Sequence, residues 1–474
     1  MTSPKTKNPS QCRSEPRAEC NPGAPGARAN SPDSLSGIVA KPYPPTGSPS
    51  WRLLATVFTV ALAARAGWGV LRMARSAEPS ALEFPDEEQY WMMARSLSEG
   101  HGLRDELGFR ATRMPLYPGF LALFVAQPDG AARARAVQWF FGALAASFTV
   151  GLATSLAGRR AGYLAGLIVA LDPFLIFFAS LLLTETLFIT ALCGLWWTLA
   201  IAMRRDHGSS IAGTWLAIGA VAALCIYLRE SSLGLVFAGL IVVALVRRLD
   251  RRVLMGAAIA TGVVVVSLIP WAARNRSVTG DWCWLTHRNG ISLYDGVGPQ
   301  AAGDSDLGRV KQSPAVRDLN EVEWNRYFLK EAFASIKADP VRVVRLAGVK
   351  LLRMWNPFPN VETYRSGGAR VVSAIWTIPL FALAIGGAGV WLMCYRRRGI
   401  CATLFLLLPA IYFSMLHSLF VGSVRYRLPA MPMIAVLAAA GLSMMVFGRR
   451  SIDGAGSPSP VFDEPIAKSP VRPS

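Results

Sequence analysis

Residues 159–205 of the chain read RRAGYLAGLIVALDPFLIFFASLLLTETLFITALCGLWWTLAIAMRR. Two apolar runs, Tyr163–Leu183 and Leu187–Met203, lie between two pairs of arginines and are separated by a turn that contains Thr184 and Glu185. An apolar run of about 18 residues or more with few charges is typical of a transmembrane helix. Short loops that carry arginine lie on the cytoplasmic side of a membrane. The pattern therefore predicts a helical hairpin whose polar turn lies on the exterior side.

The same alternation extends from Trp51 to Arg450. The arginine-rich turns are Arg159-Arg160, Arg204-Arg205, Arg247-Arg248 with Arg251-Arg252, Arg396-Arg397-Arg398 and Arg449-Arg450. The apolar runs are Leu53–Leu71, Val137–Leu156, Tyr163–Leu183, Leu187–Met203, Ile211–Leu228, Leu233–Val246, Val253–Trp271, Val371–Tyr395, Thr403–Phe420 and Pro429–Phe447. They predict an all-α polytopic membrane protein with about ten transmembrane helices and both termini in the cytoplasm.

The composition agrees with a membrane protein and argues against a nucleic-acid-binding protein. Of the 474 residues, 52% are hydrophobic and the mean hydropathy is +0.35, which is more apolar than a soluble domain. The net charge of +19 comes mostly from arginines in the predicted cytoplasmic turns and in the N-terminal tail. No recognition motif accompanies this charge, so we expect no nucleic-acid partner. The seven cysteines contain no C-x-x-C pair, so their spacing does not predict a metal site.

The chain divides into three regions. Residues 1–50 and 448–474 have the composition of disordered cytoplasmic tails, and residues 51–447 form the predicted transmembrane domain. Two segments of this domain, about 72–126 and about 272–370, are predicted to be exterior and to carry interfacial helices. The candidates for such helices are Met114–Ala126 (interfacial or re-entrant), Leu319–Ala338 and Leu346–Trp355.

Three consecutive carboxylates, Asp86, Glu87 and Glu88, follow the first apolar run on the exterior side. They could form a hydrated loop that begins a helix, because acidic side chains favour a helix N-terminus. They could also form a functional acidic group at the membrane surface. Arg113, beside Pro115, closes the same segment. Its guanidinium could either extend to the interface or bind a phosphate.

Further polar residues lie at the remaining predicted exterior turns. Glu185 lies among apolar residues where two runs meet; such an acid is costly and usually functional, unless it only ends a helix in a hairpin turn. Arg229 and Glu230 either form an ion pair with each other or serve a site. Arg425 and Arg427 lie on the outer side against the usual charge bias, which indicates a bound anion.

Four of these patterns, taken in order, resemble the type C (GT-C) integral membrane glycosyltransferases. They are Asp86-Glu87 followed by Tyr90 and Ala94, Arg113-x-Pro-x-Tyr-Pro118, Leu183-Thr-Glu-Thr-Leu-Phe188, and Arg425-Tyr-Arg-x-Pro429. The resemblance covers about Trp51–Phe447 and is closer to the bacterial branch akin to protein O-mannosyltransferases and to the lipid A aminoarabinose transferase. The first pattern is moderately specific, and the ordered set of four is much more so.

The resemblance implies transfer of a sugar, with inversion, from a polyprenyl-phosphate donor to an acceptor on the exterior face. Asp86 would be the general base, with Glu87 beside it. Arg113 takes the position of a basic residue, often a lysine, that the family uses near the phosphate. We add two further phosphate-binding candidates, Arg425 and Arg427. The residues expected to contact substrate are Tyr90, Tyr117, Glu185 and His287.

The chemistry agrees with these roles. An acceptor hydroxyl is a poor nucleophile, and a carboxylate can take its proton during attack. Fixed cations can offset the charge that develops on a departing lipid phosphate. Asp86, Glu87 and Glu185 could together hold Mg²⁺ or Mn²⁺, but their spacing does not require a metal, so no definite cofactor is assigned.

The implied partners are the lipid-linked donor, a lipid, glycan or protein acceptor, and membrane lipids. The implied location is a bacterial inner membrane, with the active site on the periplasmic face. A transporter or flippase of lipid-linked intermediates is the main competing function. Transporters usually show repeated halves and broken helices at mid-membrane, and this sequence shows neither clearly. A noncatalytic protein that binds polyprenyl phosphate is a further possibility, whereas a purely structural membrane protein would leave the one-sided acidic and arginine clusters unexplained.

Overall fold

The computed structural model describes residues 49–75, 78, 80–204, 211–306, 308, 318–361, 364 and 367–447. The two predicted tails lie outside these residues, apart from positions 49 and 50. The described part of the chain is helical and contains no β-strand, which confirms the all-α class. Its α-helices are α1 (Trp51–Arg75), α2 (Pro85–Ser98), α3 (Leu116–Ala122), α4 (Gly130–Leu171), α5 (Pro173–Phe178), α6 (Glu185–Arg204), α7 (Ile211–Leu228), α8 (Leu233–Val246), α9 (Arg251–Thr279), α10 (Asn289–Val297), α11 (Glu321–Ala338), α12 (Pro340–Met354), α13 (Gly368–Leu419) and α14 (Met431–Phe447).

Several of these helices are long and apolar enough to cross a membrane, which confirms a polytopic membrane protein. Within the described ranges there are seven such segments: Trp51–Arg75, Gly130–Leu171, Glu185–Arg204, Arg251–Thr279, Gly368–Cys394, Gly399–Leu419 and Val424–Val446. Two shorter apolar helices are Ala212–Leu228 and Glu230–Val246. The number of ten spans stays a prediction.

Helix α4 reverses its direction at Gly158. This residue has φ 88° and ψ 171°, a conformation that glycine adopts without steric cost. Beyond it, Gly166 packs so closely on the first arm that a Cβ there would lie 2.4 Å from Val150 Cγ2. A straight helix would separate these two residues by about 24 Å. The two arms are therefore antiparallel, and they lie where the sequence shows two separate apolar runs.

Buried charged groups join the helices near the end of α4. Arg65 of α1 donates hydrogen bonds to the main-chain oxygens of Val169 (3.2 Å) and Ala170 (3.0 Å), which the end of the helix leaves unpaired. Asp172 accepts hydrogen bonds from the first main-chain N–H groups of α5 and from Trp376 Nε1 of α13 at 3.0 Å. These bonds connect α1, α4, α5 and α13 beside the cavity described below.

The two segments predicted to be exterior pack against each other. The carboxylate of Glu321, in the second segment, accepts hydrogen bonds from the main-chain N–H groups of Arg110 (2.8 Å) and Ala111 (2.6 Å) in the first. The main-chain N–H of His287 donates to the oxygen of Ala111 at 2.8 Å. These contacts bring the two parts of the chain together over the ends of the membrane helices.

The predicted short helices form with changed limits. The segment Met114–Ala126 is helical only in α3, and the helix predicted at Leu346–Trp355 begins earlier, at Pro340. Asp339 caps that helix and proline suits its first turn, so local sequence starts it sooner. Val344 of this helix α12 is 73% exposed, which suits an amphipathic helix on a membrane surface.

Candidate active site

A cavity of about 1,420 Å³ lies between the two packed segments and the ends of the membrane helices. Its polar wall includes Asp86, Glu88, Gln89, Arg113, Arg229, Glu230, Arg288, His417 and Arg425. Its apolar wall includes Ala64 and Trp68 of α1, Phe174 and Phe177 of α5, and Val372 of α13. Groups from distant parts of the chain therefore meet in one space, as the sequence pattern predicts.

Glu87 fixes the start of α2. Its fully buried carboxylate accepts hydrogen bonds from the main-chain N–H groups of Glu83 (2.9 Å), Phe84 (3.2 Å) and Leu182 (2.6 Å). The last of these bonds ties α2 to the loop before α6. Glu87 does not line the cavity; it anchors the turn from which Asp86 reaches the wall.

Asp86 lies between two arginines that are far from it in sequence. Its Oδ1 is 2.6 Å from Arg113 Nη2, and its Oδ2 is 2.6 Å from Arg425 Nη1. Burial raises the pKa of Asp86, but the guanidinium groups of Arg113, Arg425 and Arg288 together hold it well below the ordinary carboxyl range. Asp86 is therefore an ionised carboxylate at neutral pH.

Arg425 connects Asp86 with Glu185, which is fully buried at the start of α6. Its Nε and Nη2 contact the two oxygens of Glu185, so the guanidinium fork binds the carboxylate through both atoms. Arg229 Nη2 donates to Glu185 Oε1 at 3.1 Å. Arg229 thus pairs with Glu185, and the sequence-based option of an ion pair with Glu230 is not the arrangement found.

Gln89 and Arg288 belong to this cluster but escaped the sequence analysis. The Oε1 of Gln89 accepts hydrogen bonds from Arg113 Nε (2.9 Å), Arg113 Nη2 (2.7 Å) and Arg288 Nη1 (3.3 Å). Gln89 follows Asp86 by three residues on a helix, and that spacing could have identified it. No sequence signal distinguishes Arg288 from the neighbouring His287.

The two candidate tyrosines have different positions. Tyr90 lines the cavity, and the Arg113 guanidinium lies 4.8 Å from the centre of its ring. Tyr117 is fully buried behind it, with ring centres 5.0 Å apart, and its hydroxyl donates to Gln138 Oε1 at 2.7 Å. Burial raises the pKa of both tyrosines, so both hydroxyls stay protonated. Tyr117 supports the wall without forming part of it.

Arg427 and His287 do not reach the cavity wall. Arg427 is fully buried, donates to the main-chain oxygens of Met354 (3.4 Å) and Asn356, and lies 5.0 Å from the ring centre of Phe174. These carbonyl oxygens and this ring enclose the guanidinium, so Arg427 does not make the phosphate contact that the sequence suggested. His287 is 5% exposed, and burial lowers its pKa. Its expected contact with substrate is not supported by its position.

Comparison with known proteins gives matches at the level of the fold. No family model matches the chain, and no curated protein matches it. The apo oligosaccharyltransferase of Archaeoglobus fulgidus matches with a TM-score of 0.55 and 13% identity, over 83% of this chain and 50% of that chain. The fold is of the GT-C type. The chain thus spans about half the length of this solved GT-C structure, and at this identity the likeness concerns the fold alone.

Two further solved structures match the chain with lower scores. Oligosaccharyltransferase AglB from A. fulgidus, in complex with an inhibitory peptide and a dolichol-phosphate, has a TM-score of 0.46 and 15% identity, over 83% of this chain and 51% of that one. ArnT from Cupriavidus metallidurans, bound to undecaprenyl phosphate, has a TM-score of 0.34 and 14% identity, over 82% of this chain and 76% of that one.

The carboxylates that the sequence suggested as cation ligands have other partners in the structure. In the part of the chain that the structure describes, no group of three or more His, Cys, Asp or Glu stands in a position to hold a metal ion. Glu87 binds main-chain N–H groups, whereas Asp86 and Glu185 bind arginines. Glu87 therefore faces main-chain donors, whereas Asp86 and Glu185 share the guanidinium of Arg425. The dependence on Mg²⁺ or Mn²⁺ considered from the sequence stays a prediction.

Proposed function

We propose that this protein is a membrane glycosyltransferase that moves a sugar from a polyprenyl-phosphate donor to an acceptor. The observation that carries the proposal is the ionised Asp86 between Arg113 and Arg425, at the wall of a cavity with one charged and one apolar side. The GT-C fold supports the reaction class. The acceptor is a lipid, glycan or protein, and the reaction takes place on the periplasmic face of a bacterial inner membrane.

The donor binds along both sides of the cavity. Its phosphate contacts Arg113, Arg288 and Arg425, because planar guanidinium groups bind phosphate oxygens through paired hydrogen bonds. Its polyprenyl tail lies against the apolar wall that includes Trp68 and Phe177. This orientation directs the anomeric carbon toward Asp86.

The reaction then follows from the charges at the site. The acceptor oxygen attacks the anomeric carbon, the bond from that carbon to the phosphate oxygen breaks, and the lipid phosphate leaves with the bonding electrons. Asp86 takes the proton of the acceptor hydroxyl. The arginines turn from Asp86 to the phosphate as the donor binds, which makes Asp86 more basic and offsets the charge on the leaving group. Attack opposite the leaving group inverts the configuration.

The test is a mass comparison of envelope glycolipids and glycoproteins. A deletion strain is complemented with the native chain, with Asp86→Asn or with Glu88→Gln, at matched membrane levels. Glu88 is the control, because it is an exposed carboxylate of the same cavity wall two residues further along α2. We expect one glycosylated species to disappear in the deletion strain and to return with the native chain and with Glu88→Gln. With Asp86→Asn, its amount should be about 100-fold or more below that of the native strain.

Full restoration by Asp86→Asn would contradict the role of Asp86 as the base. A transporter or flippase of lipid-linked intermediates would then be the better account. The species whose mass changes would identify the sugar and the acceptor together.

A further inference from the structure

His417 is a residue of the cavity wall that the sequence analysis did not select and that the proposed reaction does not use. It lies near the end of α13 and is 8% exposed. Its ring stacks on Tyr426, with ring centres 3.8 Å apart and planes 16° apart. Because Tyr426 directly follows Arg425, this stack holds the imidazole beside the arginine cluster.

One ring nitrogen of His417 has a structural partner. Nδ1 lies 2.9 Å from the main-chain oxygen of Val421, and a carbonyl oxygen only accepts, so Nδ1 carries a hydrogen. Arg229, Arg425 and Lys350 are close enough to act on the ring electrostatically, and an imidazolium would add a further positive charge to theirs. In the neutral ring, Nε2 is a hydrogen-bond acceptor. Among the described residues, none donates a hydrogen bond to it.

The carboxylate oxygens that contact Arg425 and Arg113 in the structure are already engaged. The two oxygens of Asp86 bind Arg113 and Arg425, and both oxygens of Glu185 bind Arg425. A sugar carries hydroxyl groups whose hydrogens need acceptors once they leave water. Nε2 of His417 offers such an acceptor on the same wall, without a cation bound to it.

We propose that Nε2 of His417 accepts a hydrogen bond from a hydroxyl group of the glycosyl donor or of the acceptor, and so orients that substrate beside Arg425. The proposal rests on the proposed function and adds a substrate-binding residue to it. The hydrogen bond between Nδ1 and Val421 sets the ring in place, and the stack on Tyr426 holds its plane.

Two substitutions separate this role from a structural one. In His417→Asn, the side-chain amide can still donate to the Val421 oxygen, but nothing reaches the position of Nε2. In His417→Gln, the longer side chain can place its oxygen near the position of Nε2, but the bond to Val421 is lost. Transfer of sugar is measured in the complemented deletion strain at matched membrane levels. We expect a loss of about 3- to 10-fold with His417→Asn and partial recovery with His417→Gln.

A binding experiment identifies which substrate supplies the hydroxyl. Full-length protein in lipid nanodiscs is titrated with undecaprenyl phosphate and with undecaprenyl phosphate that carries glucose or mannose. If His417→Asn weakens binding of a glycosylated lipid but not of undecaprenyl phosphate, the hydroxyl belongs to the donor sugar. If His417→Asn binds all three lipids as the native protein does but transfers less sugar, the hydroxyl belongs to the acceptor.

Full transfer of sugar with His417→Asn would overturn the proposal, because it would show that Nε2 has no ligand. This conclusion would hold whether His417→Gln is active or inactive. A native chain that binds none of the three lipids and transfers no sugar is a different result. It would overturn the proposed function itself, and with it the need for a hydroxyl acceptor at this wall.

Discussion

Arg425 and Arg427 belong to one short motif but have different surroundings. They lie in a 3₁₀ helix, Val424–Ala430, where two residues correspond to two-thirds of a turn, so their side chains point in different directions. Arg425 reaches the carboxylates of Asp86 and Glu185, whereas Arg427 is enclosed by carbonyl oxygens and aromatic rings. The same residue type therefore serves the cavity at one position and the packing at the other.

This difference predicts that replacing each arginine by glutamine affects a different property of the protein. Arg425→Gln should weaken the binding of undecaprenyl phosphate about tenfold or more, because a charged fork is lost at the wall. Arg427→Gln should leave that binding unchanged but lower the free energy of unfolding by about 1–3 kcal/mol, because buried carbonyls lose their donor. Lipid titration and thermal unfolding in detergent measure both effects. Loss of lipid binding by a normally stable Arg427→Gln protein would contradict the assignment.

The low pKa of Asp86 predicts the pH dependence of the reaction. A lowered pKa favours the ionised form, so protonation of Asp86 in the free enzyme should not reduce kcat/KM above about pH 5. In Arg113→Gln one cation is missing, the pKa of Asp86 rises, and the loss of activity should begin at a higher pH. Profiles of kcat/KM between about pH 5 and pH 8 test this. If kcat/KM fell at the same acidic pH in the native protein and in Arg113→Gln, this would argue against Asp86 as the titrating base.

At the scale of single elements, the reversal within α4 depends on two glycines. Gly158 adopts a positive φ, and Gly166 allows the second arm of the helix to approach the first arm and Val57 of α1. Close contact of three helical segments leaves no room for a methyl group. Small residues at such crossings are the usual basis of tight helix packing in membranes.

Gly166→Ala should therefore destabilise the protein. The added methyl would overlap Val150 and Val57, at a cost of about 1–3 kcal/mol. Gly262→Ala is the matched control, because Gly262 lies in α9 and its Cβ would meet no atom within 4 Å. That change should be neutral or stabilise the helix by up to about 1 kcal/mol. In detergent, the thermal unfolding midpoint of Gly166→Ala should be lower than that of Gly262→Ala. Equal midpoints would refute the close contact at Gly166.

At the scale of the whole molecule, the arginine-rich turns predict which face of the membrane carries the cavity. Lys330 in α11 and Arg160 in the α4 turn are both exposed and should lie on opposite sides. In a background without native cysteines, a membrane-impermeant maleimide should label Lys330→Cys in intact cells. It should label Arg160→Cys only after the membrane is opened. The opposite labelling would place the cavity in the cytoplasm and exclude periplasmic transfer.

Local patterns in the chain were enough to predict the fold class, and they also predict the membrane face on which the site lies. Bilayer thickness determines the length of apolar runs, and arginine retention determines which turns share a face, so both can be recognised without distant contacts. Asp86, Arg113, Glu185 and Arg425 were selected in this way, and the structure brings them together. Their catalytic roles stay predictions.

The direction in which each side chain points depends on contacts that local patterns do not contain. The hydrogen bond between Asp86 and Arg425 joins residues 339 positions apart. The packing of loops and helix ends around the site places Arg288 and His417 in the cavity wall and Arg427 outside it. Charge and hydropathy assign a residue to a membrane face, but only the packing of distant segments determines which residues on that face share a cavity.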